Sequence, residues 1–128
     1  MICDIAGPMT ESLNNHRLLV CGGRGFDDAE FLFRTLDALH REHRFREFMQ
    51  GGARGADALA KEWAMTHPDI KRFEIEADWK RYGNAAGPIR NQQMLDWGPD
   101  LVVASAGGTG TAGLVALARA AGVRVIEP

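Results

Sequence analysis

The run Leu18-Leu19-Val20-Cys21-Gly22-Gly23-Arg24-Gly25 decides how this chain is read. Four consecutive apolar residues predict a short strand buried on both faces, as in a parallel sheet covered by helices on either side. The glycines that follow predict a tight turn, and Asp27 or Asp28 supplies a cap for the next helix. Leu32, Phe33, Leu36, Leu39 and His40 then recur at helical spacing. The first unit is therefore strand, glycine turn, helix.

Working outward, the unit returns. Residues 47–49 predict a second strand that runs into Gly51-Gly52-Ala53-Arg54-Gly55. The following helix sets Ala56, Leu59, Ala60, Trp63 and Ala64 on one face and stops before Pro68. Residues 71–75 predict a third strand, with Phe73 and Ile75 on one side, and residues 76–88 a longer connection. A helix over 89–96 is closed by Gly98-Pro99. Leu101-Val102-Val103-Ala104 is another buried-strand run, leading into Gly107-Gly108-Thr109-Gly110-Thr111. An alanine-rich helix then runs to Ala121, with Gly122 as its C-cap and residues 123–126 as the last strand. Strands separated by helices of this length are parallel, with right-handed crossovers. The expected fold class is α/β, a doubly wound parallel five-stranded sheet of order 3-2-1-4-5 with helices on both faces. Ligands of such sheets sit beyond the carboxyl ends of the strands, where strand order reverses. Here that point lies between the strands ending at Cys21 and Ala104.

Composition narrows the function classes. The chain has 128 residues, 45% hydrophobic and 25% charged, which predicts a single domain over 17–128 behind a flexible lead-in, residues 1–16. The start lacks a signal-peptide pattern and no apolar run reaches membrane-spanning length, so a cytoplasmic location is expected. A formal charge of −2 argues against a dedicated nucleic-acid binder. Cys3 and Cys21 offer no disulfide framework, and His16, His40, His43 and His67 are scattered, so no metal site is expected.

Fifteen glycines are numerous for this length, and most fall in clusters. A glycine-rich loop between a strand and a helix lets backbone N–H groups converge at a helix N-terminus, where an anion fits. Glycine in such a turn also has a purely steric use, so one loop alone says little. Three at the same sheet edge say more. Twelve of the fifteen basic residues are arginine, and Arg24, Arg54 and Arg90 each lie at or just before a helix start. All three are expected to face one rim. A helix N-terminus disfavours cations, so these arginines need an anion, either a carboxylate (Asp27, Asp57 or Asp96) or a ligand phosphate. Thr109 and Thr111 add hydroxyls, or serve as N-caps. Asp57 suits the first turn of its helix through the dipole, with a ribose contact or the orientation of Arg54 as its functional role. Trp79 and Tyr82 are expected in the core, with base stacking as the second reading. Asp78 is the best-placed carboxylate for acid–base chemistry, although nothing pairs it with a nucleophile. Ser105 lacks triad partners. The stretch 112–121 suits either a homo-oligomer contact or a close helix–sheet contact.

Five segments together resemble the YspA-like branch of the SLOG superfamily. They are Val20-Cys21-Gly22-Gly23-Arg24, Gly51-Gly52-Ala53-Arg54-Gly55-Ala56-Asp57, Ala77-Asp78-Trp79, Ala86-Gly87-Pro88-Ile89-Arg90-Asn91 and Gly107-Gly108-Thr109-Gly110-Thr111. The resemblance implies a Rossmann-like fold and a pocket for nucleotides or nucleotide-derived ligands, ADP-ribose-like molecules among them. On this reading Gly22, Gly23, Arg24, Gly51, Gly52, Arg54, Gly55, Asp57, Arg90, Asn91, Gly107, Gly108, Thr109, Gly110 and Thr111 bind the ligand. The related Lonely-guy phosphoribohydrolases carry Pro-Gly-Gly-x-Gly-Thr-x-x-Glu. In this chain Ala106 replaces the proline and Leu114 the catalytic glutamate, which weakens the expectation of that hydrolysis. The DNA-processing protein of natural transformation shares the Ala-Arg-Gly-x-Asp pattern and the Arg-Asn pair, but its single-stranded DNA binding conflicts with the charge of this chain. The expected function is binding or sensing of a phosphate-bearing nucleotide-like molecule. A nucleotide hydrolase using Asp78 is the first alternative and a single-stranded DNA module the second.

Overall fold

The computed structural model describes residues 16–128, and the expected lead-in lies outside them except for His16. Five strands, β1 (Arg17–Cys21), β2 (Glu47–Gln50), β3 (Lys71–Glu74), β4 (Leu101–Ala104) and β5 (Arg124–Ile126), form one sheet of order β3-β2-β1-β4-β5. All four pairings are parallel. The helices are α1 (Ala29–His43), α2 (Ala56–Met65), a four-residue α3 (Trp79–Tyr82), α4 (Ala86–Asp96) and α5 (Thr109–Ala120). None of the described helices is long and apolar enough to cross a membrane.

Alternation along β1 and β4 divides the interior in two. Leu18, Val20, Leu101 and Val103 point to the face covered by α1 and α2, where they meet Leu32, Leu36, Phe48, Ala60 and Trp63. Leu19, Cys21, Val102 and Ala104 point the other way, against Met94 of α4 and Leu114, Val115 and Ala118 of α5. Both strands are buried along their length apart from Arg17, so the crevice between their carboxyl ends has two rigid walls. Of the small residues of α5 only Ala118 is buried against the sheet; Ala112, Gly113, Ala116 and Ala120 are exposed, and Leu114 and Val115 make most of the helix–sheet contact.

Some boundaries, and the placement of two aromatic residues, differ from expectation. β2 continues through Gln50, whose amide is buried and bonded rather than solvated. α4 begins at Ala86, three residues early, because the 3-10 turn Gly83–Ala85 feeds it directly. Pro88 is accommodated in its first turn, where a missing N–H costs nothing. Tyr82 and Trp79 are not core residues, being 39% and 49% exposed.

Trp63 shows how the α1–α2 face is held. It is 2% exposed, and its indole N–H donates to Asp37 Oδ1 of α1 at 2.9 Å. The His40 ring meets it edge-on at 5.7 Å. Trp63→Ala is expected to lower unfolding free energy in urea by about 3–5 kcal/mol. Trp63→Phe keeps most of the packing and loses the hydrogen bond, so about 1–2 kcal/mol is expected.

Candidate functional site

The three glycine loops lock onto one another at Gly23. Its N–H donates to Ala106 O at 2.9 Å, and its carbonyl accepts from Ala56 N and Phe26 N, both at 3.2 Å. Ser105 N donates to Cys21 O at 2.9 Å just before this junction. A Cβ on Gly22 would come within 2.5 Å of Ala56 Cβ and 2.9 Å of Ser105 Cβ. Gly55, at φ 75°, sits against the Gly23 and Arg24 carbonyls, where no side chain fits. These glycines permit backbone to approach backbone.

The second loop is closed on itself. Asp57 Oδ2 accepts from Gly51 N and Ala53 N, both at 3.2 Å, and Gln50 Oε1 accepts from Gly52 N at 2.5 Å. The Gln50 amide in turn donates to Glu74 Oε1 at 2.6 Å, which with Lys61 at 3.2 Å holds the Glu74 carboxyl below its usual range. The cradle expected at Gly51-Gly52-Ala53 is thus filled by the protein's own acceptors. Gly51, Gly52 and Gly55 do not line the cavity described below, and neither does the exposed Arg54. Of the three arginines expected to face one rim, Arg24 and Arg90 line this cavity.

The third loop is open. Gly108 is the N-cap of α5 and no side chain caps that turn, so neither Thr109 nor Thr111 serves as the cap. The N–H groups of Thr109, Gly110 and Thr111 have no acceptor among the described residues. Asn91, 6% exposed, holds the turn from α4 by donating Nδ2–H to Gly110 O at 3.2 Å.

Between these loops, α4 and α5 lies a cavity of about 840 Å³. Gly22, Gly23, Arg24, Asp57, Arg90, Asn91, Gly108, Thr109, Gly110 and Thr111 line it, as do Trp79, Asn84, Pro88, Met94, Leu114 and Leu117. Gly107 faces a smaller neighbouring space of about 550 Å³, lined also by Arg24 and Gly108. Helical spacing from Arg90 and Thr111 would have pointed to Met94, Leu114 and Leu117; Asn84 and the exposure of Trp79 had no sequence signal. Asp78 does not reach the cavity. It is exposed and caps α3, accepting from Arg81 N at 3.1 Å. The carboxylate on the cavity wall is Asp57.

Arg90 is the fifth residue of α4, not its first, so no helix N-terminus opposes its charge. Its Nη1 donates to Gly51 O at 3.0 Å, while its buried Nε has no partner. The guanidinium and the Asp57 carboxylate interact electrostatically. Burial pushes the Asp57 carboxyl up to about 6, opposed by the Ala53 bond, Arg90 and the Gly51 bond. Burial, reinforced by Asp57, raises the Cys21 thiol to about 12, so this cavity-wall sulfur is inert as a nucleophile.

Because folded Asp57 binds its proton more tightly than the unfolded chain does, unfolding free energy falls as pH rises from about 4 to about 6. The loss is at most about 3 kcal/mol. Asp57→Asn keeps an oxygen for the two loop N–H groups and removes the titration, so urea midpoints across this window should flatten. Asp57→Ala strands both donors and should cost about 1–3 kcal/mol at every pH.

The profile of the YspA, cpYpsA-related SLOG family matches residues 16–82, the span holding the first two loops and Trp79. The chain is also similar to the Gene 61 protein of Mycobacterium phage D29, with 35% identity over 122 residues, 87% of this chain and 94% of that protein. No solved structure matches. On these grounds the chain belongs to the YspA, cpYpsA-related SLOG family.

Proposed function

We propose that the protein binds a phosphate-bearing nucleotide or nucleotide-derived small molecule in this cavity. One observation carries the reading: the uncapped first turn of α5 and a guanidinium with a buried, unpartnered nitrogen line the same cavity. Backbone N–H groups at a helix N-terminus favour an anion, and the arginine fork adds charge-assisted bonds with the geometry of a phosphate. Arg24, exposed at the mouth, supplies a second cation. A volume of this size suits a nucleotide-sized ligand better than a bare anion. SLOG membership agrees with a nucleotide-related ligand.

Thermal shift with adenosine 5′-monophosphate, ADP and ADP-ribose tests this. At ligand concentrations near 100 Kd, stabilisation by about 2.7 kcal/mol is expected, a rise of several degrees. Arg90→Ala should weaken binding by about 10- to 100-fold. No shift with any of the three compounds would overturn the reading.

Asp57 favours a second reading, hydrolysis of the bound nucleotide. A carboxylate on the cavity wall with its carboxyl raised to about 6 is ionised at neutral pH and basic enough to take a proton from water. Release of base or phosphate from adenosine 5′-monophosphate, lost in Asp57→Asn with binding retained, is the result expected of that activity. Binding without release of either product excludes it for that compound.

A further inference from the structure

The lining of the cavity is of two chemical kinds. Arg90, Asn91 and the first turn of α5 are polar. Trp79, Pro88, Met94, Leu114 and Leu117 carry no hydrogen-bonding side-chain groups except the indole N–H. Met94 and Leu114 are buried at 2% and 1% exposed, which makes a packed apolar floor. Trp79 and Leu117 are exposed at 49% and 37% and complete the rim.

Trp79 is the anomaly here. Its helix, α3, buries none of its residues, so folding of the core does not explain an indole at this position. The ring rests near the backbone of Gly87, where a Cβ would lie 3.5 Å from Trp79 Cη2, and nearly half of the side chain remains open. An exposed large aromatic bordering a cavity that also has apolar lining marks a surface that a ligand covers.

We infer that Trp79 is the stacking platform for a planar aromatic group, the nucleobase, of a ligand whose phosphate lies at the α5 turn and Arg90. This inference rests on the binding function proposed above and extends it to the part of the ligand that carries recognition. Stacking on indole is sequence-tolerant because every base presents a π-face. Pro88, Met94 and Leu114 on the same cavity add apolar surface. Stacking then supplies the affinity that the base adds to that of the phosphate.

Calorimetric titration of the full chain with adenosine 5′-monophosphate and with ribose 5-phosphate separates the contribution of the base from that of the phosphate. The nucleotide should bind about tenfold or more tightly than the sugar phosphate. Trp79→Ala should bring the nucleotide down to the sugar-phosphate level and leave ribose 5-phosphate binding unchanged, while Trp79→Phe restores most of the difference. Quenching of tryptophan emission by the nucleotide should be present in the wild type and absent in Trp79→Phe. Because Trp79 is half exposed, its removal leaves the core intact. Equal affinity for both compounds, or a Trp79→Ala protein that binds the nucleotide like the wild type, overturns the platform and leaves the phosphate site standing. Binding of neither compound overturns the phosphate site and the platform together.

Discussion

Everything at the carboxyl edge of the sheet depends on the backbone junction at Gly23. This one residue donates its N–H to Ala106 O of the third loop and accepts at its carbonyl from Ala56 N of the second. Such a junction requires three chain segments within hydrogen-bonding distance of a single residue. Side chains on Gly22, Gly23 or Gly55 would enter the space of neighbouring backbone or Cβ atoms. The junction fixes α2 and α5 relative to β1 and β4, and so fixes Asp57 and the α5 turn on the same cavity. Since β1 and β4 are buried on both faces, the platform beneath the loops is stiff, and the geometry of the site is inherited from the core.

The strand order was legible because β1 and β4 are uninterrupted apolar runs that can only be central strands. Edges were harder. Gln50 is polar and buried, so apolarity ended the expected β2 one residue early, although its amide is satisfied by Glu74 and its carbonyl by Gly52. Residues 76–88 read as a connection, whereas the helix begins at Ala86 and tolerates Pro88 in its first turn. Trp79 was expected inside because large aromatics usually are, and nothing in local sequence signals that α3 buries none of its residues. Arg90 was identified as a site residue on the premise of a helix start. It lies on the cavity because of its helical face, one position before Asn91 and four before Met94.

Electrostatics within the site centre on Arg90 and Asp57. The carboxylate is tied to loop donors through one oxygen and lies close to a guanidinium tied to Gly51 through one nitrogen. Each group is partly satisfied and partly buried, which is why burial still dominates the proton affinity of Asp57 despite three opposing influences. Such an arrangement holds both side chains in fixed geometry before any ligand arrives, so little conformational entropy remains to be lost on binding. It also explains how a carboxylate is tolerated on the wall of the cavity proposed to take a phosphate. Its charge is directed at Gly51, Ala53 and Arg90, and the backbone donors of α5 lie on the opposite element.

Three loops of similar composition therefore perform three different tasks, and the residues flanking the glycines decide which. The first has its central N–H and carbonyl bonded to the other two loops and serves as a joint. The second is followed by an acid, Asp57, and preceded by Gln50, and these two side chains occupy its N–H groups. The third has no side chain accepting from its first-turn N–H groups; the Asn91 amide beside it donates to Gly110 O instead. Its threonines do not cap it, and α5 begins with open donors. The physical distinction is whether the chain carries its own acceptor at the helix start. A glycine loop that does is a structural turn, and one that does not leaves its positive end for something else. Counting glycines cannot make that distinction, but the side chain two residues past the last glycine of the second loop can.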